Sequence, residues 1–157
     1  MAENILEKII KKKSEKIVEL KKTISLNSLD ELIDTNQTFI NFKEKIENNI
    51  KENNFSIIAE IKKASPSAGI IMKDYDPVEI ANIYNDKKAS CLSVLTEEDF
   101  FLGNLEHIRK IKQKVNLPTL CKDFFIDKFQ IPLAKSYGAD AILIILAGVS
   151  ESLANDL

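Results

Sequence analysis

The chain has little of what marks the unusual protein classes. Its 157 residues hold no tryptophan, one histidine, two cysteines, four glycines and four prolines. So few Gly and Pro exclude collagen-like and low-complexity chains, and two cysteines cannot staple a mini-protein. Cys91 and Cys121 each sit inside an apolar run rather than at metal-ligand spacing, so both are read as reduced, buried thiols with no metal role. Charge of one sign is also lacking: 22 basic against 24 acidic groups leave a net charge of −2. No global field favours nucleic acid or an anionic membrane as partner. The longest apolar run, residues 141–149, falls well short of the ~20 residues a spanning helix needs. The start, Met1-Ala2-Glu3-Asn4, places an acid before any apolar run and has no small-residue cleavage site, so no secretory signal is expected and the cytoplasm is the expected location.

What is present is 45% hydrophobic and 29% charged residues, enough for one ordinary domain with a real core. Residues 3–50 lack Gly and Pro and read as helices. Ile5, Leu6, Ile9, Ile10, Ile17 and Leu20 recur at three- and four-residue steps among lysines and glutamates. Ser28 and Glu31 stand at capping-box spacing before a short helix through Leu29, Leu32 and Ile33, and residues 39–50 suggest a third helix. The cluster Lys11–Lys13, interspersed with Glu7 and Glu15, reads as a solvated helix face.

From Phe55 the grammar changes to short aliphatic runs alternating with amphipathic segments, the pattern of βα units with parallel strands. Strands are expected at 56–62, 90–95, 119–122 and 141–146, with helices at about 77–86, 104–114 and 128–137. Ser150-Glu151-Ser152-Leu153 opens one more. Periodicity alone leaves an open doubly wound sheet and a closed barrel both standing.

In parallel α/β folds reactive groups gather at the carboxyl ends of strands. The first strand ends Glu60-Ile61-Lys62, and two-residue alternation puts Glu60 and Lys62 on one face. Such a pair suits anion binding and proton movement, or equally a simple ion pair sealing a strand end. Lys122 closes the third strand at the equivalent level. Two lysines and a glutamate at one mouth suit an anionic substrate with an oxygen to protonate. The loop 63–69 is rich in Ser and Ala and lacks the P-loop glycine pattern; turn chemistry explains it better than phosphate binding or a mobile lid. Phe100, Phe101, Phe124 and Phe125 follow the second and third strands, where they either line an apolar pocket or pack in the core. His107, on an expected helix, has a packing or surface role, with no triad or zinc site around it.

The string Ile58-Ala59-Glu60-Ile61-Lys62-Lys63-Ala64-Ser65-Pro66-Ser67, then Ser93-Val94-Leu95-Thr96-Glu97 with Phe101-Leu102-Gly103, then Lys122-Asp123-Phe124, Gln130 and Gly138-Ala139-Asp140-Ala141-Ile142-Leu143, closely resembles indole-3-glycerol phosphate synthase of tryptophan biosynthesis. The resemblance spans essentially the whole chain. Glu-x-Lys-x-x-Ser-Pro-Ser joined to Lys-Asp-Phe is specific to that family and foreign to other phosphate-binding barrels of the tryptophan and histidine pathways.

The resemblance implies a (β/α)8 TIM barrel lyase that ring-closes and decarboxylates 1-(2-carboxyphenylamino)-1-deoxyribulose 5-phosphate, without a cofactor or metal. On that likeness, Lys122 would be the general acid. Lys62 would hold the carboxylate or phosphate region, or share the acid role, and Glu60 would orient both lysines. Ser65 would contact substrate, and Phe101 and Phe124 would line the anthranilate pocket. Ala68 departs from the Lys or Arg that many members carry. A full barrel of this class takes ~200–250 residues. The expectation is therefore a helical extension over 1–54 and the first half of a barrel, about four βα units, over 55–157. Family members continue through four more strands bearing a second catalytic glutamate and phosphate-binding loops. A half barrel bares two strand edges and an apolar interior, so self-association or the need for a complementary half is expected alongside a small phosphorylated substrate.

Overall fold

A computed structural model describes residues 4–34 and 39–157. Met1–Glu3, on which the reading of the N-terminus rested, lie outside the described residues.

The first helix, α1 (Ile5–Thr23), opens on a capping box. The Asn4 side chain accepts from the Leu6 amide, and the Glu7 carboxylate accepts from the Asn4 amide. Both bonds occupy donors that a helix start leaves unpaired. Its buried stripe is Ile9, Lys13 and Ile17, a four-residue step that includes one lysine. The second helix, α2 (Leu26–Asp34), begins one turn earlier than the sequence suggested. Ser25 supplies the start, its hydroxyl accepting from the Ser28 amide at 3.1 Å. Ser28 therefore lies inside the helix, with its own hydroxyl donating to the Ser25 carbonyl. The third, α3 (Phe42–Lys51), starts at Asn41, whose side chain accepts from the Glu44 amide.

Four parallel strands follow, β1 (Ile58–Ile61), β4 (Cys91–Leu95), β5 (Thr119–Lys122) and β6 (Ala141–Ile142), in the spatial order β1-β4-β5-β6. A two-stranded antiparallel hairpin, β2 (Ala64–Ser65) and β3 (Gly69–Ile70), interrupts the first crossover. The connecting helices are α4 (Pro77–Asp86), α5 (Leu105–Lys112) and α6 (Gln130–Ser136), and α7 (Glu151–Asp156) follows a single 3-10 turn at Leu146–Gly148. Asp76 and Asn104 cap α4 and α5, with Pro77 in the first turn of α4, where it needs no amide donor. This is the half-barrel architecture that the strand and helix pattern, read with the resemblance, leads one to expect.

Two strands are markedly shorter than expected: β1 covers Ile58–Ile61 rather than 56–62, which leaves Lys62 one residue past its end, and β6 covers Ala141–Ile142 rather than 141–146. β6 pairs only at Ala141 and Ile142, opposite Leu120 and Cys121. Beyond Lys122 the neighbouring chain turns away from the ladder, so Leu143–Ile145 have no backbone partner on that side and strand geometry is not enforced.

The main core lies between one face of the sheet and the helices. Ile61, Leu92, Val94 and Cys121 meet Ala81, Ile108, Ile111 and Ala134 there. A smaller core ties the N-terminal helices to the rest: Ile17 and Leu29 pack against Phe129 and Leu133. Strand alternation then turns Glu60, Ser93, Leu120 and Lys122 to the other face, and the register sets Glu60 beside Ser93 and Leu95 beside Lys122.

Candidate active site

Because β1 and β5 flank β4, side chains at their carboxyl ends lean over a single intervening strand. Glu60 occupies the middle. One oxygen of its carboxylate accepts from Lys62 Nζ and the other from Lys122 Nζ. All three side chains are about one-third exposed: 30% for Glu60, 29% for Lys62 and 35% for Lys122. Burial pushes the Glu60 carboxyl up. The hydrogen bonds and charges of Lys122 and Lys62 outweigh it and hold the group below its usual 4.5. The cluster thus carries two ammoniums against one carboxylate, a surplus of one positive charge facing solvent. The Tyr84 hydroxyl donates to the Glu60 carbonyl at 3.2 Å and steadies the strand from the helix side. A cleft of about 280 Å³ beside β1 is lined by Glu60 and Lys62 with Ile71, Met72 and Tyr84.

The remaining residues singled out in the sequence divide into two groups. Phe101 and Phe124 meet across the mouth with ring centroids 6.3 Å apart, whereas Phe125 is buried in the core. Ser65 serves the hairpin turn: its hydroxyl accepts from the Ala68 amide at 3.2 Å and lies 3.5 Å from the Ser67 hydroxyl. His107 packs on Tyr75, with centroids 5.5 Å apart. Burial, with Lys110 and Lys63 nearby, lowers its pKa and leaves the ring neutral at pH 7. The two cysteines are buried and free, their thiols pushed up by burial to about 11 for Cys91 and about 12 for Cys121, so neither offers a thiolate.

Two supporting groups stood in the motif strings of the sequence without a role assigned to them. Glu97, 1% exposed, folds its carboxylate back onto its own loop, accepting from the amides of Asp99, Phe100 and Phe101. Its carbonyl accepts from Gly103 at 2.7 Å, where a side chain would put Cβ 2.4 Å from the Leu95 carbonyl oxygen. This loop holds Phe101 in place. The available signal was an acidic run, Glu97-Glu98-Asp99, one residue past an apolar strand, with its first member two to four residues before the amides it accepts from.

The second is Asp123. Its carboxylate accepts from Thr96 Oγ1 at 2.9 Å and the Phe124 amide at 2.7 Å, and it pairs with Lys13 Nζ at 2.7 Å. Lys13 is therefore buried, not part of a solvated face; only its neighbours Lys11 and Lys12 are exposed. Lys16 reaches Glu98 and Asp99, and Lys21 reaches Asp127, so α1 lies along the loops after β4 and β5. Gln130 completes the frame, its amide donating to the Phe124 carbonyl while its oxygen accepts from Ile126 and Asp127.

A family model described as indole-3-glycerol phosphate synthase matches residues 6–157. An indole-3-glycerol phosphate synthase of Prochlorococcus marinus (strain AS9601) is 46% identical over 151 residues, covering 96% of this chain and 50% of that protein. One from Alkaliphilus metalliredigens (strain QYMF) is 42% identical over 147 residues, covering 94% of the chain and 55% of the relative. The tryptophan biosynthesis protein TrpCF of Buchnera aphidicola subsp. Diuraphis noxia is 50% identical over 147 residues, 94% of this chain and 31% of that protein. The chain spans about half the length of most of these relatives.

Proposed function

The chain belongs to the indole-3-glycerol phosphate synthase family, and from that premise we propose that it supplies the acid and substrate-anchoring half of a site that closes and decarboxylates 1-(2-carboxyphenylamino)-1-deoxyribulose 5-phosphate. One observation supports this above the others: a single carboxylate bridges two lysines at the mouth of the sheet, one just past the end of β1 and one at the end of β5. A ring carbon of the substrate attacks its carbonyl carbon, and the carbonyl oxygen needs a proton as the new carbon–carbon bond forms. Lys122 donates it. Loss of CO2 from the ring carbon and of water from the resulting carbinol then yields indole-3-glycerol phosphate.

In this reading Lys62 holds the substrate's carboxylate or phosphate, and Glu60 keeps both ammoniums charged and aimed. The surplus positive charge favours a polyanionic substrate. Phe101 and Phe124 flank the anthranilate ring, and Ser65 borders the substrate from the hairpin. The chain divides at residues 54 and 55 into a helical extension and four βα units. Both outer strands, β1 and β6, present unpaired edges. On the inner face, Ile58 is 48% and Leu143 37% exposed. Those edges and side chains support association, either with a complementary half barrel or with a second copy.

The test mixes the purified chain with a separately produced C-terminal half of the Prochlorococcus marinus relative and follows indole-glycerol phosphate fluorescence. Turnover is expected in the mixture, and Lys122→Ala should abolish it while substrate binding persists. A folded complex that binds but does not turn over, or full activity in Lys122→Ala, overturns the assignment. Turnover by the chain without its complement overturns the need for one.

A further inference from the structure

We propose that Lys13, on the N-terminal helix α1, is a positioning residue that sets the proton-donating Lys122 and the Phe124 ring through Asp123. The inference rests on the proposed role of Lys122.

Lys122 and Asp123 are consecutive, so their side chains leave the strand in opposite directions. Lys122 turns into the mouth toward Glu60, and Asp123 turns back toward α1. Whatever fixes Asp123 therefore fixes the backbone from which Lys122 springs. Three contacts do so. The Thr96 amide donates to the Lys122 carbonyl at 3.1 Å, the Thr96 hydroxyl donates to Asp123, and Lys13 closes the remaining side of the carboxylate. Asp123 in turn accepts from the Phe124 amide, so the same carboxylate orients the ring that faces Phe101.

Lys13 and Asp123 are each only 9% exposed at the side chain. A buried carboxylate stripped of its cation cannot stay where it is at low cost. It must rotate toward water or take up a proton, and either change releases the turn at residues 122–124. Lys16 and Lys21, by contrast, are one-third or more exposed and pair with acids further along the loops, so they anchor the helix without touching this turn. Among the described residues, Lys13 is the one whose ion pair links α1 to the residue adjoining the acid.

The test compares Lys13→Met with Lys13→Arg on two readouts. The first is the titration of the Glu60 carboxyl, followed by carbon NMR in the chain by itself; the second is kcat and KM in the mixture with the C-terminal half. Loosening Lys122 removes a cation from Glu60, so in Lys13→Met the Glu60 midpoint should rise toward 4.5, and Lys13→Arg should restore it. Turnover in Lys13→Met should fall on the order of 10²-fold, the effect of a small misplacement of a reacting group, with KM changed by less than about threefold. An unmoved Glu60 midpoint in folded Lys13→Met overturns the proposal, as does a change confined to KM. Should Lys13→Met not fold, Thr96→Val, which deletes one hydroxyl and leaves the ion pair, must shift the same midpoint in the same direction or the proposal fails. Absence of turnover in the unmutated mixture counts against the proposed function alone; the NMR titration then decides the positioning role.

Discussion

The two ends of the parallel sheet each hold a carboxylate against lysine, and they are built to opposite standards. At the amino end, the Asp140 side chain is 2% exposed. One of its oxygens accepts from Lys112 Nζ at 2.7 Å and the Thr119 amide at 2.8 Å, and the other accepts from the Ile40 amide at 3.0 Å. Three segments are sewn together by a group almost closed to solvent. At the carboxyl end, Glu60 meets two ammoniums and remains about one-third open to solvent. The first arrangement is complete without a ligand. The second keeps lysine donors and net positive charge in reserve, as the proposed substrate-binding role requires.

That contrast is broken or sharpened most strongly by Asp140→Ala. It strands two backbone amides and the largely buried Lys112, and should destabilise the chain by about 3–5 kcal/mol in urea unfolding. A loss under ~1 kcal/mol would erase the distinction between the two ends. Glu60→Gln should do the reverse, costing no more than ~1 kcal/mol, since partly exposed ion pairs are worth little. In the mixture with the C-terminal half, the same substitution should cost at least ~10²-fold in turnover, in the range of a lost electrostatic or acid–base group.

Acid offers a gentler probe. The Glu60 carboxyl, with its folded-state pKa below 4.5, stabilises the fold at all pH values above the unfolded midpoint, and that contribution fades as pH falls through the folded one. Stability attributable to Glu60 should therefore be flat from neutral pH to about 4.5 and decline only below it. In Glu60→Gln the decline should be shallower, and identical acid profiles would show that the bridge is absent in solution. The smallest effect belongs to Ser65→Ala. It removes one exposed turn hydrogen bond and should change stability by about 0.5 kcal/mol or less, measured by thermal unfolding.

How legible each group was depended on how local its partner is. Glu60, Lys62 and Lys122 were readable because strand alternation and strand-end position follow from a few neighbouring residues. Lys13 stood in the same helical stripe as Ile9 and Ile17, yet nothing nearby shows that a buried acid from far along the chain waits opposite it. The early start of α2 was missed because the capping-box spacing pointed to Ser28, whose hydroxyl is in fact bonded to the Ser25 carbonyl inside the helix, while Ser25 supplies the start. β6 was overextended because a strand needs a partner as well as a sequence, and its partner turns away at Lys122.

The long reach between Lys13 and Asp123 also orders events during synthesis. The helix bearing Lys13 leaves the ribosome before the acid that neutralises it, which follows about 110 residues later, roughly 5 to 20 seconds at ordinary elongation rates. Through that interval the strands can dock one after another in the order they emerge, since each lies beside its predecessor in the main sheet. That helix is thus made well before its seat exists, and a nascent chain stalled before Asp123 would display its apolar stripe to chaperones.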